Sequence, residues 1–404
     1  MASLTYQWLR RLLAGLRETW LVLGVVLIMF LGLEGVYRAG SSVLDARPKR
    51  GDKPVVPVDS SRHPYAGQAW FPEYRKALDR RHNHFDPYRS NWADPLATRY
   101  INVDSTGVRI TPQPVPDSSG VWRVVMLGGS LMWGFDARDS LTIPALTATR
   151  LAALGIRNVH VVNLGQAAFN ATQEAATLML EVANDRVPDL VVAYDGYPDI
   201  LTALKYREPG HTYGDDQIAQ QLMLGRREFW AELVGLGRHS RFIGRLQEKL
   251  RLRAPPARPV VSDHALCGAT GRYLAGVAGQ VEAIGRAYKF PVVYVQPPLH
   301  ATTGKSLSVW ERSLPQNRRV RECADSIDAA MTKRGVENYV SLRGVFDADT
   351  ATRFIDTDGH ITETANAIVA DRLVAIIAPL LQARIATGPP SASGLSARSR
   401  PAQP

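Results

Sequence analysis

Arg123-Val124-Val125-Met126-Leu127-Gly128-Gly129-Ser130 decides the reading of this chain. An unbroken apolar run ends in a glycine pair, the pattern of a strand buried on both faces that turns sharply toward a helix. The serine then stands at the carboxyl edge of a sheet. There the N–H groups and positive dipole end of a following helix face any oxyanion that develops. Taken alone, the same turn serves equally as an ordinary β-to-α connection or as an anion cradle.

Outward from this turn, strand and helix signals alternate. Strands are predicted at Arg123 to Leu127, Val159 to Asn163, Asp189 to Tyr194, Pro291 to Gln296 and Tyr339 to Ser341. Helices are predicted at Ile143 to Leu154, Thr172 to Ala183, Tyr273 to Tyr288, Val320 to Lys333 and Thr362 to Leu381. Short Val-rich strands between amphipathic helices specify an α/β fold with a parallel sheet covered on both faces. In such an open sheet, functional residues gather where the strands end.

The chain has 404 residues, 45% hydrophobic and 21% charged, enough for one large α/β domain with appendages. Trp20 to Leu33 is an unbroken apolar run of fourteen, preceded by Arg10, Arg11 and Arg17. That length also suits a signal-peptide core, but no small-x-small cleavage site follows, so an uncleaved anchor is expected. The boundaries expected are 1–19 as a cytoplasmic N-terminus, 20–39 as a transmembrane helix, 40–62 as a linker and 63–120 as a loop-rich, aromatic elaboration. The main domain is expected at 121–385 with a basic helical insertion at 203–262, and the Pro- and Ser-rich tail 386–404 is expected to be disordered.

The net charge of +10 is concentrated between Lys205 and Arg258, where eleven Lys or Arg face six Asp or Glu. A solvated helical face explains this, and so does an anionic headgroup or glycan. Nucleic acid is not expected as a partner of an exported domain. Cys267 and Cys323 are the only cysteines; a disulfide and two free buried thiols both fit, because spacing does not show whether they meet. No metal site is expected from two cysteines without a His or Cys cluster.

Four predicted strand ends carry suggestive chemistry: Gly128-Gly129-Ser130, Asn163-Leu164-Gly165-Gln166, Asp195-Gly196-Tyr197-Pro198-Asp199 and Asp356-Thr357-Asp358-Gly359-His360. A serine hydroxyl needs a base to attack at neutral pH, the base needs an orienting carboxylate, and the oxyanion needs fixed N–H donors. In these blocks the chain resembles the SGNH hydrolases, or GDSL esterase/lipase family, in a membrane-anchored bacterial form. Gly129 falls in the family's Asp position, Gly165 on its second-block glycine, Gly196 to Asp199 on its third block, and Asp356 to His360 near its Asp-x-x-His. The likeness covers roughly residues 120 to 385.

That resemblance implies a three-layer α/β/α, doubly wound, flavodoxin-like fold. It also implies Ser130 as nucleophile, His360 as base, Asp356 as the orienting acid with Asp358 as the alternative, and N–H groups of Ser130 and Gly165 as the oxyanion hole. No cofactor is implied. The substrate class would be an acylated glycan or a lipid outside the cytoplasmic membrane, reached from the bacterial inner membrane through residues 20–39, with the globular part periplasmic. Pro198 stands where the family has an oxyanion-binding Asn, and proline supplies neither a side-chain donor nor a backbone N–H. A non-catalytic binding subunit and an O-acyltransferase are therefore the rival readings. A nucleotide-binding protein is third, without Gly-x-Gly-x-x-Gly or a P-loop lysine. Asn170-Ala171-Thr172 matches a glycosylation sequon but is better explained as a helix cap, and Asp199 as a turn-fixing residue.

Overall fold

The structure is a computed structural model that describes residues 20–21, 23–36, 63–115, 120–214 and 261–391. The expected cytoplasmic N-terminus 1–19, the linker 40–62, residues 215–260 of the expected basic insertion, and residues 392–404 lie outside the described residues. The chain divides into two compact units, Met1–Pro57 with Gly214–Arg258, and Val58–Tyr213 with Pro259–Pro404.

In the first unit the described element is an apolar helix, α1 (Leu23–Val36). Its Leu23, Val26, Leu27, Ile28, Met29 and Leu33 side chains are all exposed. A helix that is apolar all round has no wet face to offer water.

The second unit is built on five parallel strands: β5 (Trp122–Gly128), β6 (Val159–Asn163), β7 (Leu190–Tyr194), β8 (Val292–Gln296) and β9 (Tyr339–Ser341). Their spatial order is β6-β5-β7-β8-β9, the flavodoxin-like order, with its switch point between β5 and β7. Every residue of β5, β7 and β8 is buried, so helices cover both faces. Helix α4 (Ile143–Ala153) packs with α10 (Glu363–Ala386), whereas α7 (Asp263–Tyr288) packs with α5 (Ala171–Ala183), α6 (Tyr197–Tyr206) and α9 (Arg318–Arg334). The expected α/β/α fold with a parallel sheet is what the chain adopts.

Helix α10 is long and apolar enough to cross a membrane, but Ala365, Val369, Leu373, Ile377 and Leu381 lie in the main core. It is a core helix. Helix α7 begins ten residues before the expected Tyr273, at Asp263, because Ser262 caps it by accepting from the Ala265 N–H. At the other side, α6 continues to Tyr206, past the expected insertion boundary at 203. Cys267 and Cys323 are joined as a disulfide between α7 and α9, with Cα atoms 4.3 Å apart.

The segment 63–120 is more ordered than a loop-rich elaboration. It holds α2 (Phe71–Asp79), the hairpin β1 (Asn83–Asp86) with β2 (Ser90–Ala93), and the short pair β3 (Leu96–Ala97) with β4 (Asn102–Val103). Its tail then guards the sheet edge. Arg109 bridges to Asn163, and the Gln113 amide accepts from the Val161 N–H at 2.8 Å and donates to its carbonyl at 2.9 Å. The side chain stands in for a neighbouring strand on the otherwise open edge of β6.

Candidate active site

Ser130 opens the short helix α3 (Ser130–Trp133) directly after β5. The turn that presents it is tight on all sides. A Cβ on Gly129 would lie 2.9 Å from Pro198 Cγ and 3.1 Å from the Phe169 carbonyl. Gly129 and Pro198, which fall on the Asp and Asn positions of the pattern the sequence resembles, therefore face each other: proline fills the space that a side chain at 129 would need. Pro198 sits in the first turn of α6, where a missing N–H costs no helical hydrogen bond.

His360 reaches Ser130 from the far end of the chain. Its Nε2 is 2.9 Å from Ser130 Oγ, and its Nδ1 is 2.6 Å from Asp356 Oδ2. Asp356 also accepts the backbone N–H groups of Asp358 at 2.9 Å and His360 at 3.1 Å. The turn is thus folded around one carboxylate. Asp358 is turned elsewhere, toward the Tyr197 hydroxyl at 3.4 Å, so of the two candidate acids only Asp356 meets the ring.

The loop holding Asp356 and His360 is closed like a hairpin: Ile355 N–H donates to the His360 carbonyl, and Thr362 N–H to the Arg353 carbonyl, each at 2.8 Å. Beneath it, the fully buried Glu311 of the short helix α8 (Val309–Ser313) accepts from the N–H groups of Arg353 at 2.8 Å and Phe354 at 3.1 Å and from Lys305 Nζ at 2.7 Å. Trp310 Nε1 donates to the Ile355 carbonyl. Sequence reasoning did not find these supports, because each lies some forty residues from the loop it holds.

A second missed support is Arg109, 1% exposed. Its guanidinium donates to Asp139 Oδ1 at 2.9 Å and to the carbonyls of Trp133, Gly134 and Ala137 at 2.6 to 2.9 Å. The loop after Ser130 is wrapped around it. That loop is tied to the histidine side by Arg138, whose N–H, Nε and Nη2 all donate to the Glu363 carboxylate at 2.7 to 2.9 Å. Phe135 stacks on the His360 ring at 5.2 Å and 14°.

The expected oxyanion donors fare differently. Ser130 N–H belongs to the first turn of α3, where backbone donors have no partner within the helix. Gly165 N–H, by contrast, donates to Asn163 Oδ1 at 3.0 Å, so it is already committed. Its lack of a Cβ serves packing, since a Cβ there would lie 2.5 Å from Trp133 N. The same loop offers another N–H. Gln166 N–H donates to the Gly128 carbonyl and the Phe169 carbonyl lies against Gly129. Between them Ala168 holds a left-handed φ of 61°, uncommon for alanine, and its N–H has no acceptor among the described residues.

Charge around the imidazole is strongly negative. Burial alone would lower the His360 basicity, but the bond to Asp356 and the carboxylates of Asp136 and Asp358 outweigh it and hold the ring above its ordinary value. Burial raises the Asp136 carboxyl, with His360 acting in the opposite sense. Asp136, Asp356 and His360 bring three polar atoms within 4.8 Å of one another. Since Asp356 and Ser130 already occupy both ring nitrogens, we read this triangle as a charge arrangement about the imidazole.

The chain is similar in structure to an alpha/beta hydrolase enzyme from the metagenome of Lake Arreo, Spain, at 14% identity over 65% of this chain and 98% of that one, with a TM-score of 0.38. It is also similar to the lipase/acylhydrolase from Enterococcus faecalis (18% identity; 64% and 95% covered; TM-score 0.36) and to a carbohydrate acetylesterase from Sinorhizobium meliloti (14% identity; 64% and 99% covered; TM-score 0.35). Neither a protein-family profile nor a curated protein matches the chain. Likeness at this level decides no activity.

The remaining sequence candidates have structural duties. Asn170 caps α5 by accepting from the Gln173 N–H in a capping box, and it is fully buried. Asp199 accepts the Ala171 N–H at 3.2 Å.

Proposed function

We propose that this chain is a serine ester hydrolase of SGNH type, anchored in the bacterial inner membrane through residues 20–39 with its α/β domain outside the cytoplasm. One observation carries the reading: an unbroken row from Asp356 through His360 to Ser130, with steps of 2.6 and 2.9 Å, at the carboxyl end of a parallel sheet. Ser130 Oγ attacks the ester carbonyl while His360 Nε2 takes its proton; Asp356 fixes the ring tautomer and balances the imidazolium. His360 returns the proton to the departing alcohol, and water, activated in the same way, releases the acid. The N–H groups of Ser130 and Ala168 are the donors we assign to the oxyanion.

The substrate class is an acylated, and most simply acetylated, surface glycan or lipid. The apolar exposed α1 supports the anchor, and the Cys267–Cys323 disulfide supports an oxidising compartment. If a sugar hydroxyl replaces water at the acyl-enzyme, the same residues carry out acyl transfer.

The full-length protein in detergent, assayed on p-nitrophenyl acetate and acetylated xylan beside Ser130→Ala, tests the reading. Hydrolysis by the wild type that vanishes in the variant is expected. Equal hydrolysis by both would exclude Ser130 as nucleophile, and none by either would favour the binding-subunit reading.

A further inference from the structure

Asp136 stands out from every other residue near Ser130. It holds φ at 58°, a left-handed conformation that glycine adopts without cost and Asp tolerates better than most side chains. It is 6% exposed, and its Oδ1 is buried with no hydrogen-bond partner among the described residues. Arg75 Nη1 approaches that oxygen only to 3.9 Å, from a side chain 52% exposed. A strained backbone and an unsatisfied buried carboxylate oxygen are each destabilising. What offsets them lies within 4.8 Å: the polar atoms of His360 and Asp356.

We propose that Asp136 is a positioning residue that acts through His360: a second carboxylate beside Asp356, placed to stabilise the imidazolium that forms when Ser130 gives up its proton. The proposal rests on the acyl-transfer reading above. As the Ser130 Oγ to carbonyl carbon bond forms, the Oγ proton moves to His360 Nε2 and the ring becomes positive. Asp356 meets that charge at Nδ1, and Asp136 meets it through space.

The other charged or titratable groups around the ring do not supply the same field. Asp358 bonds toward Tyr197 from the same loop, and Arg75 on α2 opposes the carboxylates at a distance. Arg81 lies over the outer faces of Phe135 and Trp133 at 5.2 and 5.6 Å. His63 is stacked on Phe71 at 4.7 Å, where burial and then Arg75 lower its basicity. The loop carrying Asp136 is fixed from below by Arg109 through the carbonyls on either side of it, so the carboxylate is held where it is.

Two variants test this: Asp136→Asn keeps shape and tolerance of the left-handed backbone while removing charge, and Asp136→Gly removes the side chain where glycine is at ease. In full-length protein, kcat/KM on p-nitrophenyl acetate is measured against pH. Separately, the His360 ring is titrated by NMR on histidine-labelled Ser130→Ala protein, with and without each change at 136. The expected result is that the acid limb of the rate profile and the NMR midpoint both move to lower pH by about one unit in both variants, with kcat at neutral pH falling several-fold. Midpoints that stay in place while activity falls would overturn the proposal and leave Asp136 a structural residue. A midpoint that moves although protein with Ser130 intact hydrolyses nothing would support the coupling and remove the esterase reading instead.

Discussion

Two groups of carboxylates lie at the carboxyl end of this sheet, and they are in opposite condition. Around His360, Asp356 is hydrogen-bonded to two backbone N–H groups and to the ring. Behind β7, Glu174, Asp195 and Asp199 are buried together, and both Glu174 oxygens and Asp195 Oδ1 have no hydrogen-bond partner among the described residues. Burial first, and then Asp195, raise the Glu174 carboxyl well above its ordinary range; burial raises Asp195; burial and Asp195 push Asp199 up to about 8. The same kind of side chain is hydrogen-bonded where donors converge, and has its carboxyl pushed up where burial leaves it without them.

The contrast can be broken from either side. The largest effect is expected at Asp356→Asn, which keeps the shape of the residue but removes the anion from the ring: kcat on p-nitrophenyl acetate should fall by on the order of a thousandfold or more. A rate within tenfold of wild type would mean that the row is only structural. Next comes Arg109→Met, which removes the buried ion pair to Asp139 and the Ala137 carbonyl's donor and leaves the Trp133 and Gly134 carbonyls with only Asn163 and the Ala137 N–H; stability in urea should fall by about 3 kcal/mol or more. A loss under 1 kcal/mol would show that the loop does not depend on the guanidinium.

A smaller effect is expected at Glu174→Gln, and it is read as a dependence on pH. Unfolded carboxyls lose their protons near pH 4, whereas these folded ones keep theirs to higher pH, so the folded state binds more protons across that interval. Stability is therefore lost as pH rises from about 4 toward 8. Removing one of the three acids makes that loss shallower. The Tm of Glu174→Gln minus that of the wild type should increase with pH through this window, and a constant difference would contradict the assignment of a held proton.

The hydrophobic runs made the sheet legible, because a strand buried on both faces leaves no room for polar alternation: β5, β6, β8 and β9 lie within two residues of where periodicity places them. Ser130 at a strand end, and Asp356 and His360 in the turn before the last helix, were legible because their chemistry is written in residue type. Arg109, Glu311 and Asp136 were not. Their roles come from burial and from partners far along the chain, and an isolated Arg, Glu or Asp in a loop has the same appearance when solvated. Gly165 drew attention as a glycine, yet it is small for the sake of Trp133. Ala168 carries the left-handed turn in its place, and alanine gives no warning of that.

The central claim is that Ser130 is a nucleophile activated by His360. Full-length protein treated with a fluorophosphonate probe and mapped by peptide mass spectrometry tests it most directly. The expected result is one phosphonylated residue, Ser130, with labelling lost in His360→Ala. An unlabelled protein, or an adduct on any other residue, would contradict it.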